Sequence, residues 1–329
     1  MIAIQKSFTR LVQVVVATGA LCGLAAPAFS QPYPSKPIKL IVPFPPGGGA
    51  DGLARPLSER LRAKLGQSVV IENKTGAGSN IGTAEVAQAK ADGYTLLINT
   101  DAVAIYQHLY NNLRYDVFKD LAPVGYLASS PLVLAVNNNV PANNVKELIE
   151  LARKSPGTLN FANPGQGSPH HLAWELLART ASINVGQATY RGGGPALNDV
   201  LAGHAQIGMF TYGAVRQFIE SGKIKPLALM TETRSDLAPN LPTVVESGLK
   251  NVHVALRFVV MAPAGTPREV VAQLQTAMAE IAAEPEFRQV LRQQGYEPFV
   301  TTPAQTATLL RTEYERWGPI LKAANIKLE

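Results

Sequence analysis

Short apolar runs alternate with segments of helical period from residue 38 onward. Ile38 to Phe44 has the length and β-branched content of a buried strand, and Leu53, Leu57 and Leu61 then recur at helical spacing. Strands near 38–44, 69–72 and 94–98 are predicted to alternate with helices near 51–65 and 80–90. That order implies a parallel sheet covered on both faces. A helix over Val145 to Lys154 opens a second set, with strands near 159–162, 187–190, 206–211 and 226–230 and helices near 169–181, 195–203 and 213–221. Gly203, Gly222 and Gly248 fall just past helical segments, where a left-handed cap is expected. From Ala122 to Val136 the chain is almost continuously apolar, broken only by Ser129-Ser130-Pro131, and reads as a strand crossing from one lobe to another. Arg257 to Pro263 reads as the return crossing. Helices over Pro267–Ala283, Pro285–Gln294 and Pro303–Ala324, each opened by proline, would pack back on the first lobe. The expected fold class is therefore α/β with two lobes: residues 31–130 and 257–329 in the first, 131–256 in the second.

Glycine clusters sit where strands give way to helices. Pro45-Pro46 and Gly47, Gly48 and Gly49 follow the first strand. Lys74 to Asn80, with Gly76, Gly78 and Ser79, follows the second. Gly165 to Pro169 and Arg191 to Pro195 repeat the plan in the second half. Glycines let backbone approach a ligand closely, and the first amides of a helix are unpaired and carry the positive end of its dipole. Four such units suggest amide nests converging on one anion. Asn99-Thr100-Asp101 ends the third strand where a ligand crevice opens in such sheets, so Thr100 and Asp101 join the candidates.

Residues 1–30 place Lys6 and Arg10 ahead of an apolar run from Leu11 to Leu24, with Ala28-Phe29-Ser30 as a small-x-small site. This is the pattern of a secretory signal cleaved near Ser30, and the run is shorter than the ~20 residues that span a bilayer. The single cysteine, Cys22, lies inside it. Two of the 30 basic residues leave with the signal, so 28 face 24 acidic ones, a net of +4. The cations are scattered, without an aromatic-basic platform, which argues against nucleic acid and suits a small anion.

The run PFPPGGGAD, then VVIENKTGAGSNIGT, DGYTLLI, YRGGGPALNDVLAG, LPTVVESGL and APAGTP, resembles the Bug family, periplasmic solute-binding receptors of tripartite tricarboxylate transport systems. The resemblance runs over residues 32 to 326 with the motifs in order. It implies a type II-like periplasmic binding protein whose two lobes, joined by two crossing hinge strands, close on a small organic carboxylate. It further implies a monomer that delivers its ligand to membrane permease subunits, with no cofactor. Carried over by motif, the first-lobe contacts are Pro46, Gly47, Gly48, Gly49, Asp51, Gly78, Ser79, Asn80 and Thr100. Those of the second lobe are Gly167, Ser168, His171, Tyr190, Gly192, Gly193, Pro195 and Ala196. Many members carry Phe-Asp where this chain has Phe210-Thr211. A neutral hydroxyl at Thr211 points to a carboxylate lacking an ammonium group.

Other readings compete. Gly47-x-Gly49-x-x-Gly52 with Glu72 satisfies a dinucleotide fingerprint, but Pro45-Pro46 stands where its tight turn is needed. Ser168 beside His170 and His171 suggests a hydrolase, yet no Gly-x-Ser-x-Gly elbow exists and a serine before proline is first an N-cap. Adjacent histidines on a helix diverge by ~100° and make a poor metal pair. His108, His204 and His253 have no partners at ligand spacing. The expected function is capture of a di- or tricarboxylate or an aromatic acid for a transporter, with a sensing receptor without its own transporter as the alternative.

Overall fold

Alternation of apolar and polar positions in the first third of the chain becomes three parallel strands with helices between them. In the computed structural model, which describes residues 32–254, 256–324 and 326–328, these are β1 (Ile38–Val42), β2 (Val69–Asn73) and β3 (Thr95–Thr100). Helices α1 (Gly49–Leu65) and α2 (Asn80–Ala87) connect them. The expected signal segment and its cleavage point lie outside the described residues. Ile38, Leu40, Ile41 and Val42 are all buried, as a strand covered on both faces requires. Leu53, Leu57 and Leu61 bury one stripe of α1 against this sheet, and Gly66 closes the helix in the left-handed conformation (φ 70°).

A 3₁₀ turn (Asp101–Ala104), α3 (Tyr106–Leu109) and α4 (Val117–Asp120) lead into β4 (Leu121–Ser130). Pro131 separates β4 from β5 (Leu132–Val136), and the two strands belong to different sheets. Proline has no N–H for a ladder, so the long apolar run is divided there. The second set comprises α5 (Val145–Lys154), β6 (Asn160–Asn163), α6 (Pro169–Thr180), β7 (Gly186–Thr189) and α7 (Gly193–Ala202), followed by β8 (Ile207–Thr211), α8 (Tyr212–Glu220) and β9 (Lys225–Leu229). The chain returns as β10 (Leu256–Pro263) and finishes with α9 (Arg268–Ala283), α10 (Pro285–Gln293), β11 (Glu297–Pro298) and α11 (Pro303–Ala324). The short α3, α4 and β11 have no counterpart in the sequence reading.

The strand orders are β11-β4-β10-β3-β1-β2 in one sheet and β7-β6-β8-β5-β9 in the other. In each lobe the three consecutive βα strands run parallel, so their carboxyl ends and the loops that follow share one edge. The crossing strands are antiparallel members: β10 pairs with β4 from Leu256↔Ser130 to Pro263↔Leu121, and β5 pairs with β8. On α11, Arg316 donates to the carbonyls of Asn251 and His253, tying that helix to the returning segment.

The second lobe has its own core, in which Phe161 of β6 stacks on Trp174 of α6 with centroids 4.7 Å apart. Both rings are fully enclosed, so truncation leaves a void that neighbours fill only in part. Trp174→Ala is expected to cost about 3–5 kcal/mol in chemical denaturation. A loss below about 1 kcal/mol would show that the stack contributes little.

Candidate functional site

The glycine loop after β1 is built around a carboxylate. Asp51, 1% exposed in the first turn of α1, accepts from the Gly47 amide (2.9 Å), from Arg55 Nε and Nη2 (2.8 and 3.1 Å) and from Asn73 Nδ2 (3.1 Å). Burial works against its charge, but the Arg55 guanidinium, the Gly47 amide and the Asn73 amide together hold its pKa below the ordinary carboxylate value. Both Asp51 oxygens thus have partners within the protein. Gly47 is left-handed (φ 79°), and the Gly48 amide donates to the Pro45 carbonyl at 3.2 Å. The loop therefore keeps two of its amides for its own shape. The amides of Gly49, Ala50 and Asp51 find no acceptor among the described residues. Pro46 is exposed beside them.

After β2 the chain turns through Ala77, Gly78 and Ser79, all with positive φ (46°, 62° and 82°). A left-handed non-glycine residue costs about 1–3 kcal/mol and is kept only where the surroundings over-determine it. Asn99 supplies much of that determination: its Nδ2 donates to Ser79 Oγ (3.2 Å) and Thr83 Oγ1 (3.0 Å), and its Oδ1 accepts from the Thr100 amide (2.7 Å). Tyr115 donates to Asn80 Oδ1 at 2.7 Å. Two buried donors are left over at this place, Asn80 Nδ2 and Thr100 Oγ1, each without a partner among the described residues. A buried donor without an acceptor costs about 1–3 kcal/mol, so the pair marks a place where an acceptor belongs.

In the second lobe Ser168 caps α6, its Oγ accepting from the His171 amide (3.2 Å). His171 Nδ1 accepts from the Gly167 amide (3.1 Å), which puts the ring proton on Nε2, 3.7 Å from Glu175 Oε1. His171 is thereby a support for the Gly167 turn. Its ring also borders a groove of about 420 Å³ formed with Glu175, Gln187, Thr189 and residues 326–328, which none of the first-lobe glycine loops reaches. Tyr190 donates to Asp199 Oδ2 (2.7 Å), and burial, with that bond, pushes its phenol up to about 12. Gly192 (φ 110°) donates to the Pro164 carbonyl. At Gly192, Gly193 and Gly194 a Cβ would meet nothing within 4 Å, so this loop borders open space. The amides of Gly193 and Gly194 find no acceptor among the described residues. Pro195 is exposed, whereas the Ala196 side chain is buried in the second-lobe core. Thr211 precedes α8, its side chain capping nothing.

The lobes meet at these loops. Pro169 and Leu172 of α6 share a space of about 10 Å³ with Asp101, Ala102 and Ile105 of the first lobe. A Cβ on Gly167 would strike Leu328 and Leu109. Tyr212 and Gly213 lie against Gln294 and Gly295, and the same turn reaches the first loop, where Tyr296 donates to the Gly49 carbonyl at 2.9 Å. Sequence reasoning did not single out Asn73, Asn99, Gln294 or Tyr296. Only Arg55, four residues after Asp51 on one helix face, carried a local signal. Among the described residues no group of three or more His, Cys, Asp or Glu side chains is placed to hold a metal ion.

The family model described as the tripartite tricarboxylate transporter family receptor matches residues 53–326. Protein BugT of Bordetella pertussis is 35% identical over 325 residues, covering 98% of this chain and all of that protein. The structure of the periplasmic binding protein BugD superposes with a TM-score of 0.81 at 33% identity, over 90% of this chain and 100% of that one. A protein from R. palustris solved with adipate gives 0.83 at 34% identity, over 90% and 99% of the two chains. MatC from Rhodopseudomonas palustris with bound malate gives 0.80 at 28%, over 88% and 100%.

Asp51 has a depressed folded pKa, so its stabilisation is present above its unfolded pKa near 4 and lost as pH falls through the folded value. Asp51→Ala strands the Gly47 and Asn73 donors and is expected to lower stability at pH 7 by about 1–3 kcal/mol, a gap that closes below about pH 4. Urea denaturation across pH 3 to 7 checks both the size and the sign.

Proposed function

The chain belongs to the tripartite tricarboxylate transporter receptor family, and on that premise we propose that it captures a small organic carboxylate between its lobes for delivery to the permease subunits of such a transporter. The observation that carries the reading is the surplus of donors at the lobe junction. Buried Asn80 Nδ2 and Thr100 Oγ1 stand beside a left-handed turn, with unpaired first-turn amides on α1 and α7. An anion held by fixed dipoles in a cleft shielded from water needs no cationic side chain of its own. Relatives solved with adipate and with malate, both dicarboxylates, support the same chemistry.

The roles divide by what each residue has left to give. Gly49 and Gly193 offer amides, Ala196 seats the first turn of α7 behind them, and Asn80 and Thr100 offer side-chain donors. Pro46, Gly192 and Pro195 shape the walls. Gly47, Gly48, Gly78, Ser79, Gly167, Ser168 and His171 hold the turns, with Asp51 and Tyr190 fixing them from behind. Thr211 supplies at most a neutral hydroxyl, so the favoured ligand is a dicarboxylate, tricarboxylate or aromatic acid without an ammonium group. The receptor acts in the periplasm as a monomer, after removal of the segment ending near Ser30. A ligand touching both lobes favours the shut state by its differential affinity for it, and the shut state is what a permease distinguishes.

A thermal-shift screen over carboxylates tests this. A true ligand at 100-fold above its Kd stabilises the native state by about 2.7 kcal/mol. Adipate, malate, citrate or benzoate is expected to give such a shift, and aspartate and glutamate none. Thr100→Val and Gly193→Trp should fold normally and lose the shift, since Gly193 borders open space and Thr100 Oγ1 has no internal partner. A panel in which no carboxylate raises the melting temperature would end the proposal.

A further inference from the structure

Behind the lobe junction the buried Asp101 meets two part-buried charges in a cluster that ligand capture does not use. Asp101, 5% exposed, opens the 3₁₀ turn after β3. Arg257, at the start of the returning strand β10, approaches it only loosely: Nη1 is 3.6 Å from Asp101 Oδ2, and the Arg257 amide is 3.5 Å from Oδ1. The same Nη1 is 3.4 Å from Glu313 Oε1 on α11. Glu313 is the better served of the two acids, because Trp317 Nε1 donates to its Oε2 at 3.1 Å and Arg316 lies 3.7 Å away. One shared guanidinium therefore faces two carboxylates, the buried Asp101 and the part-buried Glu313, and Asp101 has the weaker claim on it.

Every other group facing Asp101 leaves it short of positive charge. Tyr126 on β4 has a buried hydroxyl with no partner among the described residues, and Tyr106 on α3 is a buried phenol. From the second lobe come the apolar Pro169 and Leu172, which with Val254, Glu313 and Trp317 enclose the space of about 10 Å³ beside it, room for about one water. His170, next to Pro169, is pulled down by burial to about 4 and stays neutral at ordinary pH. His253, in the returning segment, is likewise lowered, by burial and by Arg316.

We propose that Asp101 is a proton-binding site made by lobe closure, so that capture of the carboxylate takes up a proton. With the lobes apart, Pro169 and Leu172 leave the carboxyl and water returns to it, restoring its ionised form. With the lobes together, the carboxyl is sealed beside a cation it must share. Burial then pushes it up to about 7, and Glu313 adds to the rise against the opposing pull of Arg257. Arg257 keeps its charge, since Asp101 and Glu313 outweigh the burial that works against it. The shut state binds more protons than the open one between roughly pH 4 and 7. Capture is thus favoured as pH falls through that window and hindered above it.

This inference rests on the carboxylate-receptor reading, and its test separates the two. Carboxyl resonances of the ¹³C-labelled chain are followed from pH 3.5 to 8.5 in the wild type, in Asp101→Asn to assign the signal, and in Gly213→Phe. The phenyl group at 213 cannot fit against the Gln294 carbonyl and wedges the lobes apart. Expected is a midpoint that lies above the ordinary carboxylate range in the free wild type, moves up to between pH 6 and 8 when adipate or malate shuts the lobes, is absent from Asp101→Asn and falls to the ordinary range in Gly213→Phe. A midpoint indifferent to the wedge, or one that a bound probe leaves below pH 5, overturns the proposal. With adipate or malate as probe, wild-type affinity should strengthen about tenfold in all from pH 8 to 6, while Asp101→Asn shows no such rise. Equal slopes in both proteins would also overturn it. Failure of both probes to bind, with the titration as expected, counts against the ligand class alone.

Discussion

The pairing of β4 with β10 is the constraint on which the two-lobed arrangement rests. Each of these strands carries the chain between sheets, one outward and one back, and they lie side by side from Leu256↔Ser130 to Pro263↔Leu121. Two crossings hydrogen-bonded to each other permit bending but resist sliding, because a slip would force side chains buried on both faces of both strands to repack. Pro131 then frees β5 to join the second sheet, and Arg316 grips the returning segment from α11. Loops at the carboxyl ends of two parallel strand sets are thereby held at one junction.

At that junction the glycine loops divide their labour. Amides of Gly47, Gly48, Gly167 and Gly192 donate within the protein, to Asp51, Pro45, His171 and Pro164, and so set the turns. Amides one step further along, on the first turns of α1 and α7, are left without acceptors. A nest of this kind is stiff where it is self-bonded and receptive where it is not. The strain of Ala77 and Ser79 has the same logic: Asn99 and Thr83 hold an unfavourable backbone in place, and Asn80 and Thr100 beside it keep donors unmatched.

Much of the architecture is legible in the sequence because it follows from local periodicity. Strand, glycine loop and helix succeed one another with β-branched runs and leucine stripes, but the apolar run from Ala122 to Val136, read as one crossing strand, is two strands in different sheets, divided at Pro131. The short α3, α4 and β11 escape notice because four residues or fewer carry no period to read. Around the candidate site, the presence of glycines is visible but the direction of each amide is not. Whether Gly47 turns its N–H to solvent or to Asp51 depends on Asn73 and Arg55 fixing that carboxylate from another strand and another turn. The Asp101–Arg257–Glu313 cluster is still further from view, since its members meet across separations of 156 and 56 residues.

One contact between the halves is made by backbone alone. Gly213 at the start of α8 rests on the Gln294–Gly295 turn, with no side chain from either glycine between them, and Gly295 keeps a left-handed φ of 79° to present that face. Interlocked side chains would have to leave their rotamers before such surfaces could part, and each would add to the barrier. A bare seam has no teeth to disengage. Along this seam, opening meets no side-chain friction, and what resistance the halves offer comes from contacts elsewhere, such as Pro169 and Leu172 beside Asp101.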